Sequence, residues 1–291
     1  MEYQVKYYSL SRPISRFNTK LKTLINRTKD IPGLFAQFAK VLPLHLKAND
    51  FIKTNKLWKG LFKMKWVFWT AIIFSIIFSF HFISVFFEWI RVILMGQQQE
   101  ESAFLASNNM FNSIQLFGNE VFVSGGVKYL IFIFAEVIIF HCTVTTINIL
   151  SGKKQRPKFK DFINAEKRMI VVSLTAWIME IIVSFAIGLI LSILGLNMIK
   201  KFSEFIIQFY FIGHLFLDNY NEQFGLTVKE SFRHIRTHAG AAIAIGAVAY
   251  FLFLIPIVGM IVAPILGAVT GALYMFTHSV HDEKERIYEF V

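Results

Sequence analysis

Between Ala239 and Phe276 the chain runs through 38 consecutive residues without a charged side chain. As one helix at 1.5 Å per residue this block would be about 57 Å long, roughly twice the ~30 Å of hydrocarbon in a bilayer. It must therefore fold back on itself. Pro256 and Pro264 bracket Ile257–Ala263, which includes Gly259. Each proline removes a backbone donor and disfavours continuous helix. A helix–turn–helix hairpin with its tip at Pro256, Gly259 and Pro264 is the expected solution. Bent backbone in an apolar medium has to be shielded by protein or water. Ala263, Gly267 and Gly271 recur at four-residue spacing, a small-residue stripe suited to close packing between the hairpin arms and to assembly.

The rest of the sequence agrees with a membrane environment. Hydrophobic residues make up 55% of the chain and charged residues only 17%, against about a quarter in soluble domains. Five stretches approach or exceed the ~20 apolar residues of a spanning helix. A first span is expected from Trp66 to Met95 and a second from Tyr129 to Leu150. Two further apolar segments follow, Met169–Leu194 and Phe202–Leu217. The last of these is short and contains Glu204 and Gln208, so it either crosses when tilted or pairs with its predecessor in a hairpin that only partly enters the bilayer. The fold class expected is all-α integral membrane protein. Two long spanning helices are joined by two helical hairpins that partly penetrate, with amphipathic surface helices.

Charge is unevenly distributed. Residues 1–65 carry fourteen Lys and Arg against Glu2, Asp30 and Asp50, while the remaining chain is balanced at sixteen of each sign. Three regions follow: a basic arm over 1–64, a membrane domain over 65–278 and a short tail over 279–291. The arm reads as a signal for orientation and for contact with anionic lipid headgroups, not for nucleic acid. Its apolar residues fall in two amphipathic pieces, Leu34, Phe35, Phe38, Leu42 and Phe51, Leu57, Trp58, Leu61, Phe62, with Pro13, Pro32 and Pro43 breaking it into short lengths. No signal-peptide pattern precedes the first span. The loop 96–126 has no Lys or Arg, whereas 151–168 has seven. The positive-inside rule then puts the N-terminus and 151–168 in the cytoplasm and 96–126 outside.

Ionisable groups within apolar spans are costly and carry functional hypotheses. His81, Glu88 and Arg91 share a face of the first span, either as a polar track or as a helix end reaching the interface. Glu136 lies in the second span and Glu180 mid-way along the third. Two carboxyls at that depth suggest proton binding, or pairing with a Lys or Arg elsewhere in the bundle. Tyr210, His214 and Asp218 are four residues apart, and an Asp–His pair could relay protons or simply close a local hydrogen bond. A capping box is expected at Thr227-Val-Lys-Glu230, opening a basic surface helix. Its Arg233 and Arg236 have guanidinium forks suited to oxyanions or to lipid phosphates. Cys142 is the only cysteine. His234 and His238 lack a third ligand in the pattern, so no metal or other cofactor is expected, and no enzyme motif is present.

The segment Phe253-Leu-Ile-Pro-Ile-Val-Gly-Met-Ile-Val-Ala-Pro-Ile-Leu-Gly-Ala-Val-Thr-Gly-Ala-Leu-Tyr274 resembles the C-terminal hairpin of the CysZ-like sulfate-uptake family. Upstream, Leu217-Asp-Asn-Tyr220, Gly225, the basic helix and Gly240 are similar to the surface helix that leads into that hairpin. Ser151-Gly152, with Arg168 opening the third segment, is similar too. The resemblance covers roughly Leu57–Phe276, and residues 1–50 match nothing in it. It implies a homo-oligomeric protein of the bacterial inner membrane that moves sulfate, a small inorganic anion, inward. Lys56-Leu-Trp-Lys-Gly60 is the nearest counterpart of the family's basic anion-contacting motif, which adds Lys56 and Lys59 to the candidate anion contacts. The rival expectation is a non-transporting scaffold or accessory subunit of a larger membrane complex.

The orientation is testable by single-cysteine labelling in a Cys142→Ser background. A Met110→Cys protein is expected to react with an impermeant reagent from outside only; reaction from the cytoplasmic side alone reverses the assignment.

Overall fold

The computed structural model describes residues 33–58, 127–152, 159–255 and 258–278. The expected first span with His81, Glu88 and Arg91, as well as Lys59, Pro256, the loop 96–126 and the tail 279–291, lies outside the described residues. Within them there are seven helices and no strand: α1 (Leu34–Asn55), α2 (Val127–Ser151), α3 (Phe159–Ile193), α4 (Asn197–Gln223), α5 (Val228–Thr237), α6 (Ala239–Phe253) and α7 (Val258–His278). Three are long and apolar enough to cross a membrane, namely Lys128–Ser151, Lys160–Ile193 and Val258–His278. The protein is an all-α membrane protein. Along α3 the side chains of Leu174, Ile178, Ile182, Phe185 and Leu189 are exposed. Such a row is tolerable only where the surroundings are themselves apolar.

α3 starts ten residues before the expected Met169, because the mixed-charge stretch ahead of it is also helical and places Asp161 in the first turn, where the helix dipole favours an acid. It ends on Gly195, whose φ of +70° suits a glycine. The amide of Leu196 reaches the carbonyl of Leu191 at 2.9 Å and that of Gly195 reaches Ser192 at 3.1 Å, the paired bonds of a Schellman stop. α4 also outruns its expected 202–217. It continues through Asp218, Asn219 and Asn221, which are buried among neighbouring helices. Polarity alone had suggested an exit from the helix there.

The expected capping box forms. Thr227 Oγ1 accepts from the amide of Glu230 at 3.3 Å and Glu230 Oε2 accepts from the amide of Thr227 at 2.9 Å. α5 then meets α6 at 94°. This corner leaves backbone groups to be satisfied, and α1 supplies the partner. Gln37 donates from Nε2 to the carbonyl of Thr237 at 2.9 Å and accepts at Oε1 from the amide of Gly240 at 3.0 Å.

α1 corrects the expected break at Pro43, since it is one helix with Pro43 inside it; Pro13 and Pro32 lie outside the described residues. Its buried face is Gln37, Val41, His45, Ala48 and Ile52, set against α6 and α7. Leu34, Phe35 and Leu42 point outward, with Phe35 81% exposed. The contact selects small or hydrogen-bonding residues because the backbones come close: a Cβ on Gly240 would lie 1.9 Å from the carbonyl oxygen of Leu34. His45 donates from Nδ1 to the Val41 carbonyl at 3.0 Å, and burial holds its ring below the usual imidazole range.

The C-terminal block does fold back, but its turn is tighter than expected. α6 closes at Phe253 and α7 opens at Val258. Pro264 belongs to the body of α7, not to the tip. A proline there forfeits one intrahelical bond without ending the helix, as transmembrane helices tolerate. Gly259 does serve the turn, since a Cβ on it would meet the Leu252 carbonyl at 1.8 Å. The small-residue stripe faces elsewhere: a Cβ on Gly267 would strike the Phe216 ring at 2.6 Å, and one on Gly271 would sit 3.4 Å from Leu217. Both neighbours belong to α4, and Ala263 is fully buried. The stripe therefore seats α7 on α4 and does not join the two arms of the hairpin.

The closest helix contact is one that the sequence reading did not single out. A Cβ on Gly213 of α4 would be 1.8 Å from the Ala242 carbonyl of α6, and one on Gly246 of α6 would be 1.7 Å from the Phe209 carbonyl of α4. Aromatic rings extend the junction, with Phe132 4.9 Å from Phe216 and 5.7 Å from Phe253 between centroids. Gly246→Ala is expected to cost about 1–3 kcal/mol by overpacking. Gly33→Ala, where nothing lies within 4 Å, is expected to change little. Thermal unfolding in detergent checks both; equal melting temperatures would refute the tight α4–α6 contact.

Candidate functional site

Polar side chains buried between α2, α3 and α4 fall into three groups, each built by a different pair of helices. At the start of α2, Lys128 Nζ and Tyr129 Oη both donate to the carboxylate of Glu180 in the middle of α3. Lys128 is 3% exposed and Glu180 8%, so the charges neutralise each other away from water. Of the two outcomes open for Glu180, pairing with a cation holds. Lys128 escaped the sequence reading because it stands one residue before the expected span. A lysine at such an edge, with a carboxyl half-way along the next segment, is the signal for it.

The second group is a fork. Arg168, near the start of α3, donates from Nε to Asp218 Oδ2 at 3.0 Å and from Nη2 to Asp218 Oδ1 at 2.9 Å. Its Nη1 donates to the Leu226 carbonyl at 2.6 Å, tying α3 to the loop before α5. Bidentate pairs of this kind fix geometry as well as energy. Glu222 Oε2 lies 4.0 Å from the same guanidinium. Asp218 is thus engaged by Arg168 and not by His214, which corrects the Asp–His pair drawn from spacing. His214 is fully buried with its ring 3.9 Å from Phe232 and 6.0 Å from Tyr210 between centroids. Neither of its nitrogens has a hydrogen-bond partner among the described residues. An arginine fifty positions away in sequence outcompetes a histidine one turn away because it brings two charge-assisted donors at once.

Glu136 forms the third group. Its carboxyl is fully buried and accepts from Asn219 Nδ2 at 2.9 Å. Glu136 and Glu180 do not share a site; each has its own partners. Glu222, in the last turn of α4, is pushed up to about 7 by burial, with Arg168 acting against that and Asp218 adding to it.

Arg233 and Arg236 lie on the exposed face of α5 beside Lys229. The opposite face, Ser231 and Ile235, is buried. Asn221 holds α5 down, donating to Ser231 Oγ at 2.9 Å and meeting His234 Nδ1 at 3.0 Å. His238 Nδ1 approaches Tyr274 Oη at 3.1 Å, linking the corner to α7. Lys56 is exposed at the left-handed cap of α1, with φ of 52°, on a different helix from the two arginines. Among the described residues no group of three or more His, Cys, Asp or Glu is disposed to hold a metal ion.

Together the fold and these groups define a membrane-embedded helical bundle with ion pairs buried between its helices. No protein-family model, no curated protein and no solved structure matches the chain.

Lys128→Met leaves Glu180 buried without its cation and is expected to cost about 3–5 kcal/mol. Adding Glu180→Gln to Lys128→Met should recover part of the loss, as a double-mutant cycle by thermal unfolding would measure. A double variant no more stable than Lys128→Met would contradict the pairing.

Proposed function

We propose that the chain is a transporter or channel for a small inorganic anion, sulfate first, taken up across a bacterial inner membrane by a homo-oligomer. The observation that carries this reading is the shape of the segment Val228–His278. A basic surface helix turns through 94° into an uncharged helix pair, the arrangement that the resemblance to the CysZ-like family implies. The exposed Lys229, Arg233 and Arg236 then offer an anion its first contacts, with Lys56 and Lys59 as further candidates. Guanidinium forks bind planar faces of oxyanions in two parallel bonds.

Two features of the interior support the same reading. Glu180 and Asp218 are covered by Lys128 and Arg168, so neither presents a bare carboxylate that would repel sulfate. The Arg168–Leu226 and His238–Tyr274 bonds bring the start of α3, the α5 corner and the end of α7 to one end of the bundle. That grouping suits a cytoplasmic placing of the 151–168 loop and of both termini. On this reading α3–α4 and α6–α7 are the two hairpins, each with one arm, α3 or α7, long and apolar enough to cross. The other reading, a non-transporting scaffold, is favoured by those same pairs, because a bundle whose charges are matched and dry needs no conducting path.

Flux of labelled sulfate into liposomes holding the purified protein separates the two. Wild type is expected to take up sulfate, and the Arg233→Gln/Arg236→Gln double variant to do so at least about tenfold more slowly, since losing even one charge-assisted hydrogen bond has that effect, while still inserting. Equal flux in both removes these arginines from the path. Wild-type protein inert across a range of pH favours the scaffold.

A further inference from the structure

Glu136 and Glu180 occupy the same bundle under opposite conditions. Glu180 is a paired anion. Glu136 has one hydrogen bond, from the neutral amide of Asn219, and its Oε1 has no partner among the described residues. Asn219 is itself 1% exposed, and its Oδ1 is likewise an acceptor without a donor. Two acceptor oxygens on the two members of one buried hydrogen bond call for a hydrogen between or beside them.

The surrounding charges point the same way. Among the described residues α3, α4 and α7 pack on α2. From α4 the carboxyl feels Asp218 and Glu222, and from α3 it feels Glu166 and Arg168. α7 has no charged side chain ahead of His278. Among the described residues these four carboxyls share one guanidinium, which is already committed to Asp218 and to the Leu226 carbonyl. A fully buried carboxylate beside three other carboxyls is costly, and protonation relieves that cost.

We infer that Glu136 is a proton-binding site of the bundle, exchanging with water at the Glu222 end of α4. The carboxylate takes a proton from hydronium, forming an O–H bond and leaving water, and later returns it to water. Glu222 is suited to the exchange because it stands at the half-buried end of α4, three residues on from Asn219 and 4.0 Å from Arg168, and burial pushes it up to about 7. The proton site does not depend on the transport reading.

Infrared difference spectroscopy of the full-length protein in liposomes tests the site directly. At pH 7 the wild type is expected to show a carboxylic-acid C=O stretch that shifts in D₂O and is lost in Glu136→Gln. Asn219→Leu, which removes only the hydrogen bond to Oε2, is expected to move the band without deleting it. A wild type without the band, a band that survives in Glu136→Gln, one unmoved in Asn219→Leu, or one displaced by sodium at constant pH would overturn the proposal.

Discussion

Gly213 and Gly246 allow the backbones of α4 and α6 to touch, and most of the arrangement depends on that contact. With α6 pressed against it, α4 becomes the central helix of the described bundle, packed also by α2, α3, α5 and α7. Association of helices in an apolar medium draws little from the hydrophobic effect, so close van der Waals approach has to supply it. Gly267 and Gly271 repeat the device where α7 crosses Phe216 and Leu217. Because α4 is surrounded, a polar residue on it has only the protein to turn to. That is why Asp218, Asn219 and Asn221 each reach another helix or loop, while His214 goes without a hydrogen bond among the described residues.

The same burial sorts the charges. An ion pair taken out of water survives when its geometry is good and its remaining hydrogen-bonding capacity is met. Lys128, Tyr129 and Glu180 meet that condition at one level of the bundle, and Arg168, Asp218 and the Leu226 carbonyl meet it at another. Glu136 is left with an amide alone. Its chemistry therefore differs from that of Glu180 although the two residues looked alike as carboxyls in apolar segments.

The arm joins the bundle through a backbone problem. A 94° corner between α5 and α6 exposes a carbonyl and an amide that no helix serves, and the side-chain amide of Gln37 has the acceptor and the donor to serve both. α1 is consequently a structural neighbour of α6, and its buried stripe follows Gln37, Val41, His45, Ala48 and Ile52. Leu34, Phe35 and Leu42 of the more hydrophobic stripe that the sequence displays face outward, and only Phe38 packs on the core. Amphipathicity located a helix there, but which face turned inward was settled by how closely another backbone approached.

By itself the sequence determined the membrane class, the fold-back of the uncharged C-terminal block, the capping box at Thr227 and the presence of carboxyls at depth. Each follows from local quantities: length of apolar run, spacing along one helix, or identity of a cap. The partners of those carboxyls, the place of Pro264 inside α7 and the glycine contact between α4 and α6 were decided by tertiary structure. Lys128 meets Glu180 across 52 positions, Arg168 meets Asp218 across 50, and Gln37 meets Gly240 across 203. Pairings over such separations depend on which helices become neighbours, and that choice belongs to packing, to which a single segment's pattern carries no reference.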